Sequence, residues 1–292
     1  AAAINNFLQK KISKKIYFFD NLDENKISEF KKKEKTSKVL FLIISKSGNT
    51  VETLFNAFSL KVLNKNAKNV IIISEENNNL LYNISKKLNL FHIKHRNYVG
   101  GRYSVLSEVG LIPAHLMGVN ITKLRSEIRD CLKEKNISFL RNSSIKFAKL
   151  LRTKKFNNLI LLNYCPELEH FLYWCQQLIA ESLGKKGKGF LPVVSNVPKD
   201  HHSLLQLYLD GPKDKFFYIF SSDQKLSSTI NIKTKIFGKN ILHKKKLSAV
   251  KYAQREALIK AFKKNKIPFR EFKIKEFNEK NLGKLFSHFM VE

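Results

Sequence analysis

A chain of 292 residues with 43% hydrophobic content and 23 phenylalanines has enough apolar side chain for two cores, which excludes a disordered polypeptide. No apolar run reaches the roughly 18–20 residues of a membrane-spanning helix, so no membrane partner is expected. A net charge of +30 would suit a nucleic-acid binder, but the lysines are dispersed in short groups ("KKISKK", "EFKKKEK", "AFKKNK"), as on a solvated surface, and no nucleic-acid partner is expected either.

In chain order, residues 15–22, 38–45 and 69–75 are short β-branched and aromatic runs bounded by polar turns, and they read as strands. Between them lie stretches of helical spacing such as Val51 to Leu63. The runs 157–163, 191–196, 215–222 and 269–277 repeat the plan, and a charged helical segment near 123–135 divides the two halves. Strands alternating with helices give an α/β fold of parallel sheets covered on both faces. Two domains are expected, 1–138 and 139–292.

Cys131, Cys165 and Cys175 are an odd number at wide spacing without a Cys-x-x-Cys pair, as in reduced thiols of a cytoplasmic protein. Glu167 and His170 have the Glu-x-x-His spacing of carboxylate-bridged metal sites, but such sites need a second copy and further glutamates. No metal is expected.

The stretch "FLIISKSGNTVETLF" (41–55) joins a buried strand to a helix through hydroxyls, a lysine and a glycine. Asn49 is the expected N-cap, with Glu52 reaching back to it. Unpaired N–H groups and the positive end of a helix dipole then meet Ser45, Lys46, Ser47 and Thr50, an arrangement that suits phosphate. Gly48 lets the backbone approach closely.

This loop resembles the phosphosugar-binding loop of sugar isomerase (SIS) domains, in the form found in glucose-6-phosphate isomerases. Two further stretches narrow the resemblance to that family. "GGRYSVLSEVGLIPAHLMG" (100–118) is similar to its Gly-Gly-Arg signature, and "QLIAESLGKKGKGFLPVVSNVPKDHHSLLQLYLDGP" (177–212) to its catalytic segment. The resemblance implies two SIS-type three-layer αβα sandwich domains with parallel sheets. It also implies interconversion of glucose 6-phosphate and fructose 6-phosphate, in glycolysis and gluconeogenesis, without metal or organic cofactor. Ser45, Lys46, Ser47 and Thr50 match the phosphate-holding residues, Arg102 the arginine beside the reacting carbons, Glu181 the base, and His202 the ring-opening histidine. In the family that histidine comes from the neighbouring subunit, so a homodimer is implied.

The chemistry is consistent with these side chains. Moving a proton between adjacent carbons through an enediolate needs a carboxylate base, a cation near the oxyanion and a group that opens the ring. Glu181 falls in the last turn of a helix expected over 167–183 and ending at Gly184, where the negative end of the dipole favours proton uptake. Arg102 is a permanent cation with a rigid fork of donors, and His202 suits proton shuttling.

Both ends look cut relative to the family. Its Gly-Gly-Ser-x-Leu-Gly loop would lie upstream of Ala1, and its C-terminal lysine beyond Glu292; Lys284 is not expected to replace that lysine. A fragment of reduced activity is therefore expected. A phosphosugar-binding SIS module without catalysis is the alternative, and a basic nucleic-acid binder a more distant one.

Overall fold

The computed structural model describes residues 1–153, 155–222 and 244–292. Residues 11–121 with Ala1 form one compact unit, and residues 2–10 with 122–292 form the other. The helical stretch expected to divide the halves therefore runs with the second unit from Thr122 onward.

Helix α1 (Ala2–Phe7) belongs to the second unit. The first unit contains α2 (Glu24–Lys33), β1 (Phe41–Ile44), α3 (Val51–Ser59), β2 (Val70–Ser74), α4 (Leu80–Leu88), β3 (Phe91–Lys94) and α5 (Glu108–Leu116). Its strands are parallel in the order β1-β2-β3, with Ile43 opposite Ile72 and Ile72 opposite His92. Ile72 and Ile73 point to opposite faces and both are fully buried, so both faces of the middle strand are covered. One face packs Phe41, Ile43 and Ile72 against Leu54, Ala57 and Leu81 of the following helices.

Residues 15–22 correct the expectation of a strand. They form no ladder; Tyr17 and Phe19 instead set their rings edge-on to Phe30, at 4.9 and 5.3 Å. A cavity of about 640 Å³ separates this segment from the outer edge of β1. The strand β3 was not anticipated. It is four residues long, and its burial pattern shows no apolar alternation.

The second unit continues through α6 (Ile121–Arg125), α7 (Glu127–Cys131), α8 (Glu134–Arg152), β4 (Asn158–Asn163), α9 (Glu169–Leu183), β5 (Leu191–Asn196), α10 (His201–Asp210), β6 (Lys215–Ser222), α11 (Leu247–Lys264), β7 (Phe269–Ile274) and α12 (Glu279–Val291). The four strands are parallel in the order β5-β4-β6-β7. Alternation along β6 sends Phe217 towards Tyr208 and Phe262, with ring centroids at 5.1 and 4.5 Å, on the α10–α11 side. Phe216 and Tyr218 turn the other way, towards Phe147 of α8, and Phe220 faces Phe289 of α12 at 6.0 Å. Each fully buried phenylalanine contributes about 1.5–3 kcal/mol of transfer free energy, so this sheet is held by aromatic layers on both sides. Among the described residues no helix is long and apolar enough to cross a membrane.

Candidate active site

The loop after β1 is built by backbone bonds to its neighbour strand. Ser45 donates its N–H to the Ile73 carbonyl at 3.1 Å, and the Lys46 carbonyl accepts from Glu75 N–H at 3.1 Å. The chain then turns at Gly48, whose φ of +67° lies in the left-handed region that glycine enters without cost. A side chain there would also collide with Asn79, since an added Cβ would sit 1.8 Å from Asn79 Oδ1.

Helix α3 starts with Thr50, not Asn49, as its N-cap, and no side chain caps it. The expected Asn49–Glu52 pair does not form because Asn49 is drawn elsewhere: its Oδ1 accepts the Leu80 N–H at 2.9 Å and so tethers the loop to α4. The Thr50 hydroxyl is 2.7 Å from that of the buried Ser45. Ser47 is exposed, and its Oγ accepts the Asn49 N–H at 3.3 Å. Lys46 extends its ammonium to the Asn97 carbonyl at 3.2 Å and lies 3.6 Å from a Glu75 carboxylate oxygen. Three hydroxyls, an ammonium and the uncapped first turn of a helix thus converge, a chemistry suited to a phosphate dianion.

Arg102 sits in a 3-10 turn (Gly101–Leu106) that follows β3. Its guanidinium lies 5.1 Å from the Tyr103 ring centroid. The bond from Lys46 to Asn97 joins the Arg102 loop to the phosphate-type loop. The four residues of the strand-end loop and Arg102 therefore share one end of one sheet.

In the second unit, Glu181 lies in the last turn of α9, as expected, and Gly184 is the C-cap. Phe171, Leu172, Cys175 and Leu178 form the buried face of the helix, while Glu181 is exposed. Its Oε1 accepts a bond from Gln177 Nε2 at 2.9 Å, one turn earlier. His202 lies exposed in the first turn of α10. Its neighbour His201 is turned inward, with Nε2 3.2 Å from Tyr164 Oη, and burial depresses its basicity, helped by the charge of His202. Of the two, His202 is the one presented to solvent.

Polar partners at the strand ends were not legible in the sequence. Asn163 Nδ2 donates to Asn196 Oδ1 at 3.0 Å, Asn196 Nδ2 to Glu169 Oε1 at 2.8 Å, and Asp200 Oδ2 accepts from Asn196 N–H at 2.7 Å. Glu75, Asn79 and Asn97 play the corresponding part in the first unit. No group of three or more His, Cys, Asp or Glu among the described residues is arranged to hold a metal ion.

Comparison with known proteins bears on this arrangement. A "Probable glucose-6-phosphate isomerase" of Methanococcus maripaludis is 34% identical over 284 residues, 93% of this chain and 63% of that protein. A glucose-6-phosphate isomerase of Methanocaldococcus jannaschii is 33% identical over 92% of this chain and 68% of its own length. The chain thus spans less than two thirds of the first of these relatives. Among solved structures, a hypothetical protein of Thermus thermophilus superposes with a TM-score of 0.83 at 23% identity, over 99% of this chain and 74% of that one. A glucose-6-phosphate isomerase of Chlamydia trachomatis gives 0.79 at 16%, over 99% and 61%. At these identities they establish the shared fold. The family described as phosphoglucose isomerase matches residues 2–288, so nearly the whole sequence carries its pattern, and the chain belongs to the phosphoglucose isomerase family.

Proposed function

We propose that the chain is an aldose–ketose isomerase that interconverts glucose 6-phosphate and fructose 6-phosphate, serving glycolysis and gluconeogenesis in the cytoplasm. In this reading the substrate phosphate is held by Ser45, Lys46, Ser47 and Thr50 and by the N–H groups opening α3. Glu181 removes the proton from one carbon and returns it to its neighbour. Arg102 faces the enediolate oxygens, where a permanent cation lowers the energy of developing negative charge. His202, contributed by the neighbouring subunit of a homodimer, protonates the ring oxygen as the sugar opens.

The observation that carries the reading is the loop of residues 45–50. A left-handed glycine, three hydroxyls and an ammonium meet an uncapped helix start, in a chain whose family is that of phosphoglucose isomerases.

The test is proton exchange. The chain is incubated with fructose 6-phosphate in deuterated water, and deuterium at the transferred position is followed by NMR beside glucose 6-phosphate. Exchange is expected in the parent chain and loss of about a thousandfold or more in Glu181→Gln, which keeps the shape but not the base. Full exchange in that variant sinks the assignment. A folded parent that binds the sugar phosphate without exchange would be a binding module instead.

A further inference from the structure

The segment between β3 and α5 is closed at its neck. His95, at the end of β3, is fully buried and bonds through Nδ1 to Glu108 Oε1 in the first turn of α5. The same oxygen accepts the Arg96 N–H at 3.3 Å, and His95 Nε2 lies 3.2 Å from the Val99 carbonyl. Inside this neck the turns are tightened further. Val99 N–H bonds to the Arg96 carbonyl at 3.1 Å, Tyr103 N–H to the Gly100 carbonyl at 2.9 Å, and Ser104 Oγ to the Gly101 carbonyl at 2.6 Å. At the α5 end, Gly110 passes so close to the Val105 carbonyl that an added Cβ would be 1.9 Å from its oxygen.

Arg102 stands midway between His95 and Glu108 in sequence, on a loop whose two stems this contact joins. We propose that His95 and Glu108 are positioning residues for Arg102. Their contact, buried on the His95 side, fixes both ends of the Gly-Gly-Arg loop and so sets where the guanidinium stands. The inference rests on the isomerase reading for its kinetic consequence, but not for its structural one. Glu108 acts through the loop and not on substrate. Removing it should therefore impair the chemical step and spare the hold on phosphate. A rigidly held donor loses effect with small displacements, about 100-fold for 1 Å in unfavourable cases.

The experiment compares Glu108→Ala and Glu108→Gln with the parent by three readouts. These are kcat and KM for fructose 6-phosphate, affinity for inorganic phosphate, and amide hydrogen exchange of residues 97–104 against Val70–Ser74 of β2. In Glu108→Ala, kcat should fall about 10- to 100-fold with phosphate affinity held within about twofold, and protection should drop across 97–104 but not in β2. Glu108→Gln keeps an acceptor oxygen and should return kcat to within about threefold of the parent. Unchanged kcat in Glu108→Ala overturns the proposal, as does an equal loss of phosphate affinity or unchanged protection of 97–104. If the parent shows no turnover, the isomerase reading fails by itself. Amide exchange then decides the clasp, which stands if protection falls in Glu108→Ala and is refuted if it does not.

Discussion

Replacing Gly48 by alanine tests the architecture of the strand-end loop. Two costs are separable. The backbone is held at φ +67°, where an L-residue loses about 1 kcal/mol. The new methyl also invades Asn79, whose Oδ1, Cγ and Nδ2 would lie 1.8, 2.2 and 2.9 Å away. Asn79 is buried and has little room to retreat. Its Oδ1 caps α4 through the Tyr82 N–H at 2.9 Å, and its Nδ2 donates to the Glu75 carbonyl at 2.8 Å. Losing a cap costs about 1 kcal/mol and losing the second bond about as much, so Gly48→Ala should destabilise by about 3 kcal/mol. In an Asn79→Ala background the clash is gone and only the backbone cost, about 1 kcal/mol, should remain. Urea unfolding of the four chains measures both values. An equal cost in the two backgrounds would refute the steric argument, and a cost below about 0.5 kcal/mol would refute the whole account.

Phe171→Ala should lower stability by about 3–5 kcal/mol, because the ring is fully buried between Trp174, Phe286 and Phe289 at 5.4–5.8 Å. Trp174 is the single tryptophan, so the same variant should shift its emission, and an unchanged unfolding midpoint would contradict the packing. Glu292 provides a pH dependence. Burial pushes its carboxyl up, but hydrogen bonds from His288 and Ser143 and the charge of Arg270 outweigh it and bring the group from 4.5 to about 2. The native state therefore favours the ionised form, so the stabilisation is complete above about pH 4.5 and is lost as pH falls towards 2. At 1.36 kcal/mol per unit it is on the order of 3 kcal/mol. Urea unfolding followed from pH 6 to pH 2 should show a shallower loss in Glu292→Gln; parallel curves would remove the carboxylate from the account.

The sequence showed most where burial was greatest. The runs at 157–163 and 215–222 became β4 and β6 nearly residue for residue, because inner strands covered on both faces must be apolar throughout, and 191–196 matched the edge strand β5. It misled at residues 15–22, where aromatic density matched a strand but Tyr17 and Phe19 pack on Phe30 without a ladder. It missed β3, an edge strand whose residues carry no alternating burial. At the site, the residue types of the loop and the position of Glu181 before its C-cap were readable from local pattern. The Asn49 cap was not, because a tertiary partner, Leu80, took the side chain that local rules assign to the helix. His95 with Glu108, and Glu75 and Asn97 with Lys46, depend on contacts between segments distant in sequence, which periodicity cannot reveal.

The docking of α1 has a consequence for synthesis. Asn6 accepts a bond from the His170 N–H, 164 residues further along, and Phe7 meets the still later Phe277 at 5.0 Å. At about 5–20 residues per second, the ribosome needs on the order of 10 to 30 seconds to deliver α9 after α1. Through that interval Ile4, Phe7 and Leu8, almost wholly buried in the finished fold, wait for the later segments they pack on, so α1 reaches its final place long after it is made.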